Sequence, residues 1–369
     1  MSLTDFGSLS TAKKVVQTLM VMKAGRDRSL MMASGMIGKN DDSNRPIQLV
    51  SELNSSDRGQ SAIIHLIQDL NGDGVVDDQL LEGNEERLNN ETLSIQLSQL
   101  RHGVKNMGRM SDQKTVLRFR NQTKDKLGHW WGRITDELAF MTMAGMSYGL
   151  NLDGSVRAGS RLPNLAFASD VTAPSTNRKL YAGSATSTAT LTASDKMSWN
   201  LLLKAKAFAE RMKINPLMME GQSRYIVLLS TESGADLEMD DDYKAITKSA
   251  GVRGPKNPLF TGELADVGGL LLYKHNRIPT TRGLASGSKY GAAGTVEGAK
   301  CLLIGAQAMA YARIGEAQWE ESDNTDYKNR IGVGFGQIIG MRKSIFNARI
   351  SGSLSLEDFS TVTIDVATS

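Results

Sequence analysis

A helical pattern that opens at Ser111 and runs to about Tyr148 is the strongest single constraint in the chain, because the remaining elements have to be arranged along it. Leu127, Trp130 or Trp131, Ile134, Leu138 and Met141 recur at three- and four-residue spacing, which gathers them on one helix face. Ser111 reads as the cap, and Asp112 puts a carboxylate at the positive end of the helix dipole. At 1.5 Å per residue this helix is on the order of 50 Å long. Gly128 and Gly132 each cost about 1 kcal/mol relative to Ala in a helix interior, so a bend is expected there.

Upstream, Leu3 to Met36 is weakly helical and Met-rich, and reads as an N-terminal arm ending in the turn-rich stretch Gly38–Pro46. A terminal helix packed on the core is the plain alternative. Ser61–Gln68 and Glu91–Gln99 read as strands. In the second, Leu93, Ile95 and Leu97 alternate with Ser94, Gln96 and Ser98, the period-two pattern of a half-buried strand. About twenty residues separate them, so a long hairpin with a decorated tip is expected. Downstream, 149–194 is an irregular stretch rich in Ser, Thr, Gly and Ala. A second helix at Asp195–Lys213 is followed by apolar runs at Arg224–Ser230, Gly269–Lys274 and Lys300–Ile304, which read as buried strands. A polar helical stretch around Asp240–Ala250 lies among them, so Asp195 to about Asp323 reads as one mixed α/β unit. Arg330–Asn347 and Thr361–Val366 are strand-like. No repeat of solenoid period is present.

The 369 residues suit two or three folding units, and one cysteine, Cys301, rules out an internal disulfide framework and suits a reducing compartment. Neither a secretory signal nor an apolar run long enough for a membrane span is visible, so a soluble intracellular product is expected. With 43 Lys and Arg against 40 Asp and Glu, the chain is too balanced for a dedicated polyanion binder. His65, His102, His129 and His275 are scattered, so the usual zinc sites are excluded. No phosphate-binding loop or nucleophile elbow occurs, and Gly332-Val-Gly-Phe-Gly336 fails the dinucleotide fingerprint. No catalytic residue, metal site or cofactor is expected. Asp69-Leu-Asn71-Gly-Asp73-Gly74 opens like a calcium loop, but Leu80 stands where the bidentate Glu belongs, so a polar turn is the better reading.

Charge is unevenly laid out. Asp69–Glu91 carries eight acids against Arg87, a net of −7, and Arg101–Arg133 carries nine bases against Asp112 and Asp125, a net of +7. Two solvated faces would explain this. The alternative is that the acidic hairpin tip of one chain lies over the basic helix of the next, since complementary patches steer association and fix register. Phosphate binding by the basic helix is weakened by the neighbouring acids.

The short motifs narrow the reading. Leu81-Glu-Gly-Asn-Glu-Glu86, Arg101-His-Gly-Val104 with Met110-Ser-Asp-Gln113, Trp130-Trp131, Tyr181-Ala-Gly-Ser-Ala-Thr186 and Asn257-Pro-Leu-Phe-Thr-Gly262 occur in that order. Gly268-Gly-Leu-Leu-Leu-Tyr-Lys-His-Asn-Arg-Ile-Pro279, Arg330-Ile-Gly-Val333 and Gly340-Met-Arg-Lys343 complete the series. Together they resemble the major capsid family of podoviruses related to coliphage N-four, over about Gly72 to Asn347.

The resemblance implies an α+β chain with the Hong Kong 97-type capsid fold: an N-terminal arm (1–58), an extended β-hairpin loop (59–110), a peripheral domain with a long spine helix (111–194), an axial α/β domain (195–323) and return strands of the peripheral domain (324–369). Function is then mechanical, with pentamers and hexamers closing into an icosahedral shell around a double-stranded DNA genome. The same resemblance implies that Asp77, Asp78, Glu82, Glu85 and Glu86 face Arg118, Arg120, Lys124 or Lys126 across a chain boundary. A separate scaffolding protein, a portal, a possible decoration protein and non-specific contact with packaged DNA through Lys13, Lys14, Lys23, Arg26 and Arg28 are the expected partners, with no membrane. Assembly is expected in the host cytoplasm. A portal or decoration protein is the alternative.

Overall fold

Apolar residues spaced for helix faces and for alternating strands assort here into two main sheets that share one long helix. A computed structural model describes residues 11–26, 29–38, 42–51, 61–67, 74–85, 90–114, 119–219, 221–250, 266–325, 327, 329–350 and 353–368. In chain order, helix α1 (Thr11–Arg26) and the single turn α2 (Leu30–Ala33) precede strands β1 (Ile37–Gly38), β2 (Ile47–Val50), β3 (Ser61–Ile67), β4 (Asn90–Gln96) and β5 (Ser98–Lys105). Helices α3 (Arg109–Lys114) and α4 (Phe119–Ala144), strand β6 (Lys179–Tyr181), helix α5 (Trp199–Arg211), strands β7 (Leu217–Met219) and β8 (Gln222–Leu229), and helices α6 (Thr231–Met239) and α7 (Asp241–Ala250) follow. The chain ends in strands β9 (Asp266–Val267), β10 (Leu270–Lys274), β11 (Gly298–Ile304), β12 (Met309–Thr325), β13 (Arg330–Lys343), β14 (Ile345–Ile350), β15 (Ser353–Asp358) and β16 (Thr361–Ala367).

The long helix is α4, and its expected apolar residues Leu127, Trp131, Ile134, Leu138 and Met141 are all buried. Its bounds differ from the pattern. Ser111 lies inside α3 rather than capping α4, and α4 gives way at Gly145 (φ +66°). The described rod is therefore about 40 Å long at 1.5 Å per residue. Gly128 and Gly132 serve a helix crossing instead of the expected bend. A Cβ at Gly128 would lie 2.7 Å from Ala24 Cβ and 2.9 Å from Val21 O, and one at Gly132 would overlap the carbonyl oxygen of Gly25. Absent side chains let the α1 and α4 backbones approach, which no propensity argument could reveal.

One sheet has five strands in the order β1-β2-β12-β13-β5, and the other seven, in the order β6-β16-β11-β8-β10-β9 with β7 on β8. The central strands β8, β10 and β11 of the seven-stranded sheet are apolar on both faces because both are covered. Ile226, Leu228, Leu302 and Ile304 join the core around α4 and the five-stranded sheet, and Val227, Leu229, Cys301 and Leu303 pack with α5, α6 and α7. The C-terminal half of α4 is buried nearly all round, since both sheets meet on it.

The expected hairpin is β3 against β4, antiparallel from Ser61↔Gln96 to Ile67↔Asn90. Its base seats on small residues: Ala62 and Ile95 pack with Ala310 and Ala312 of β12, and a Cβ at Gly340 would lie 2.9 Å from Ile95 Cγ2. Gln96 N donates to Asp170 Oδ2 at 3.0 Å, and Arg342 donates to Ser94 O.

Two strands depart from the expected grouping. β12, most of which falls in the 195–323 unit expected from sequence, leaves that unit after Ala308 and pairs with β13 in the five-stranded sheet. β16, grouped with the peripheral return strands, lies between β11 and β6 in the seven-stranded sheet and is buried along its whole length. Chain order cannot show this, because β16 returns across the molecule to pair with β11. The Asp69–Asp73 turn lies outside the described residues.

Candidate intersubunit surfaces

The hairpin tip, 74–85, is exposed except for half-buried Val75. Its own backbone shapes it: Asn84 N donates to Leu81 O at 2.9 Å, Asn84 Nδ2 to Leu80 O at 2.8 Å, and Gly83 N to Glu85 Oε2 at 2.7 Å. Asp77, Asp78, Glu82 and Glu85 are exposed on it, and Glu86 lies outside the described residues. Beside the acids, Val76, Leu80 and Leu81 are between 58% and 70% exposed. Apolar side chains grouped so openly on a protruding loop mark a contact surface.

The basic partners are only partly described. Arg118 lies outside the described residues, and Arg120 is placed in the first turn of α4. Lys124 is half-buried, with Nζ 3.6 Å from Met20 Sδ of α1, and Lys126 is exposed. Among the described residues, no ion pair within the chain joins the tip acids to these lysines. The acid-to-base contact is thus not made within one chain by those groups.

No local pattern marks the buried tie that fixes α4 to both neighbours. Asp136 is fully buried; it accepts from Ser29 Oγ at 2.5 Å and Leu30 N at 2.8 Å, and Arg277 Nη1 lies 3.6 Å away. Burial pushes its carboxyl above the ordinary range, against the lowering pull of these partners. Only a carboxylate on a helix that is apolar all round could have pointed to it.

Next to this tie, the His275 ring packs at a tilt against Phe140, centroids 5.3 Å apart, and its Nδ1 accepts from Arg277 N at 3.2 Å. Burial, then the nearby Arg277 charge, lowers its pKa from 6.5 to about 4. A depressed His pKa means that the unfolded chain takes up the proton first, so stability is full above pH 6.5 and falls as pH drops toward 4. Discounted for partial exposure, the loss is about 2 kcal/mol. Urea unfolding at pH 7 and pH 4.5 should show His275→Asn losing less stability than the wild type by that amount. Equal losses would remove His275 as the cause.

Among the described residues, no cluster of three His, Cys, Asp or Glu could hold a metal ion, and no helix is long and apolar enough to cross a membrane.

The arrangement of a hairpin loop, a long helix, a five-stranded sheet and a separate seven-stranded sheet defines a class, that of the Hong Kong 97-type capsid fold. The family profile described as phage capsid protein matches residues 6–369, and the chain belongs to that family. It is 38% identical to the major capsid protein of Pseudomonas phage KPP25, over 99% of this chain and 97% of that one. The capsid of Ralstonia phage GP4 superimposes with a TM-score of 0.76 at 29% identity, covering 93% of this chain and 92% of that one. The capsid asymmetric unit of cyanophage Pam1, 18% identical, has the same fold, with a TM-score of 0.71 and 99% of both chains covered.

Proposed function

We propose that this chain is a major capsid protein whose copies assemble as pentamers and hexamers into an icosahedral head shell around double-stranded phage DNA. Identity of 38% along nearly the whole of a named major capsid protein carries the reading. The exposed, self-organised loop tip fits it, because a shell subunit needs a projecting element that ends on a neighbour. Expression of the chain alone and with its phage's scaffolding protein tests it by negative-stain microscopy. Closed particles, pentamers, hexamers or curved sheets support the reading. Monomers in both samples, or flat rings of about a dozen copies as a portal would form, overturn it.

Within that reading, the five regions expected from the resemblance act as arm, loop, peripheral domain, axial domain and return strands, with β12 reassigned to the five-stranded sheet and β16 to the axial sheet. The work is done by repeated contacts, with no catalytic step. Scaffolding is supplied by a separate protein, a portal occupies one vertex, and a decoration protein can bind outside. The cations Lys23 and Arg26 of α1, with Lys13, Lys14 and Arg28, make non-specific contact with packaged DNA, and assembly takes place in the host cytoplasm.

The charge pattern is assigned to the boundary between subunits: Asp77, Asp78, Glu82, Glu85 and Glu86 on one copy, Arg118, Arg120, Lys124 and Lys126 on the next. Replacing Asp77, Asp78, Glu82 and Glu85 by Lys should reduce the yield of closed particles about tenfold, since like charges at an interface cost several kcal/mol. Adding Lys124→Glu and Lys126→Glu should restore part of it. Rescue should weaken above 0.5 M salt, where the Debye length is below about 5 Å. Unchanged yield in the reversed variant would dismiss the assignment.

A further inference from the structure

We propose that Asn44 is a clasp between the two sheets, shut in one kind of capsid unit and open in the other, so that one chain fits both pentamers and hexamers. This rests on the shell reading above and adds the device by which a subunit changes shape.

The clasp is a side chain that imitates a strand. Asn44 Nδ2 donates to Met218 O at 2.6 Å, and Met218 N donates to Asn44 Oδ1 at 2.6 Å. These are the hydrogen bonds that a neighbouring strand residue would exchange with Met218. Met218 lies on β7, which joins the seven-stranded sheet through Met218↔Ser223 of β8. No described strand pairs with β7 on its other side, and Asn44 takes that place. Asp42 sets the local turn: its Oδ1 accepts from Asn44 N at 3.2 Å, and its Oδ2 lies 3.2 Å from Arg45 Nε.

Beyond Asn44 the same segment belongs to the other sheet. Arg45 O accepts from Gln307 N at 2.8 Å, and Pro46 O from Met309 N at 3.2 Å. β2 then runs parallel to β12 from Ile47↔Met309 to Val50↔Ala312. Residues 305–308 carry the chain from β11 to β12, and so from one sheet to the other. Residues 44–50 therefore strap that crossing, with one end on each sheet.

Two observations mark the strap as able to open. Asn44 and Met218 are both exposed, so their hydrogen bonds exchange for water at small net cost. The crossing itself has no such freedom: Ile304, Ala306, Ala308 and Met309 are buried, and a Cβ at Gly305 would overlap Asn215 O. The second observation is strain. Gln307 has φ +57°, a left-handed backbone that a non-glycine residue holds only where its surroundings fix it. Its N–H is held by Arg45, one residue from the clasp. Releasing Asn44 lets Gln307 relax, so strain favours the open strap while the amide hydrogen bonds favour the shut one. Two small opposed effects make an element that contacts between copies can tip either way. A closed shell supplies such contacts in two sets, because pentamers and hexamers surround a subunit differently.

Hydrogen exchange at the Met218 amide, read by mass spectrometry before and after assembly, tests the clasp in the wild type and in Asn44→Ala. The unassembled wild type should exchange in one slow phase. Unassembled Asn44→Ala should exchange in one phase about tenfold faster, since the acceptor is gone. Closed wild-type particles should show both phases, with the fast one at the Asn44→Ala rate and amplitudes that follow the numbers of pentamer and hexamer copies. A single phase in closed particles, slow or fast, overturns the inference and leaves the shell reading intact. So does a split that persists in Asn44→Ala particles, because burial by a neighbour then causes it. Equal rates in the two unassembled chains overturn it as well. Should Asn44→Ala form no particles, a fast wild-type phase that differs from its unassembled rate is the overturning result. Failure of the wild-type chain to form shell assemblies removes the shell reading itself, and the inference with it.

Discussion

Asp358→Ala should destabilise the protein by about 3–5 kcal/mol, the cost of stranding a buried charge. The charge is Lys343, whose side chain is fully buried and whose Nζ lies 2.9 Å from the Asp358 carboxylate, itself 2% exposed. Thr172 O at 3.2 Å and Ala173 O at 3.5 Å complete the ammonium's surroundings. Burial pushes the Lys343 ammonium down from its ordinary value and the Asp358 carboxyl up, so each charge is held against the cost of desolvation by the other. Carbonyl dipoles alone cannot replace a carboxylate at that depth.

The double variant Lys343→Met with Asp358→Leu should recover most of the loss, because it removes both desolvation costs together. Urea unfolding midpoints of the wild type and the two variants measure this. A loss below about 1 kcal/mol for Asp358→Ala would mean that water reaches the ammonium. The pair stands where β13 ends and the chain turns through β14 and β15 toward β16. Nearby, Arg178 donates to Met212 O at 3.0 Å, and Asn177 donates to Glu357 at 2.6 Å. The buried charges therefore fix the crossing between the two sheets. That crossing gives the chain its two halves.

Local periodicity made part of this fold legible. Alternation of Leu93, Ile95 and Leu97 gave the β4 side of the hairpin, and the apolar runs gave β8, β10 and β11 within a few residues. The continuous runs were readable because each strand is covered on both faces. What stayed hidden depends on partners distant in sequence. β12 reads as a mixed segment because its inner residues face the α4 core while Glu316, Gln318 and Glu320 face outward. β16 looked like a peripheral strand because nothing in Thr361–Ala367 says that Cys301 and Leu303 lie beside it. The acidic loop and the basic helix were visible as charge runs. The apolar residues set among the tip acids were visible too, but their exposure was not, and exposure is what makes Leu80 and Leu81 candidates for docking.

The helix crossing carries the second large effect. Gly132→Ala pits two terms against each other: a gain of about 1 kcal/mol in helix propensity, and a clash with the Gly25 carbonyl oxygen. A side chain in the way could rotate aside. A backbone oxygen inside α1 can move only if the helix moves with it, so the clash prevails, at about 1–3 kcal/mol beyond the propensity gain. Gly132→Leu should cost more and lift α1 off α4. Gly128→Ala should be milder than Gly132→Ala only in degree, since its obstacles, Ala24 Cβ at 2.7 Å and Val21 O at 2.9 Å, are also fixed to the α1 backbone but stand farther off than the Gly25 oxygen does from Gly132. Thermal unfolding ranks the three, with Lys126→Ala, on the exposed side of α4, as a near-neutral reference. If Gly132→Ala instead stabilises by about 1 kcal/mol, the two helices do not cross as closely as described. The crossing also aims Val15, Val16, Leu19 and Met20 of α1 outward. A variant that folds but displaces α1 should therefore lose closed particles at temperatures where it remains folded. Loss of assembly without loss of folding would place α1 at the contact between copies.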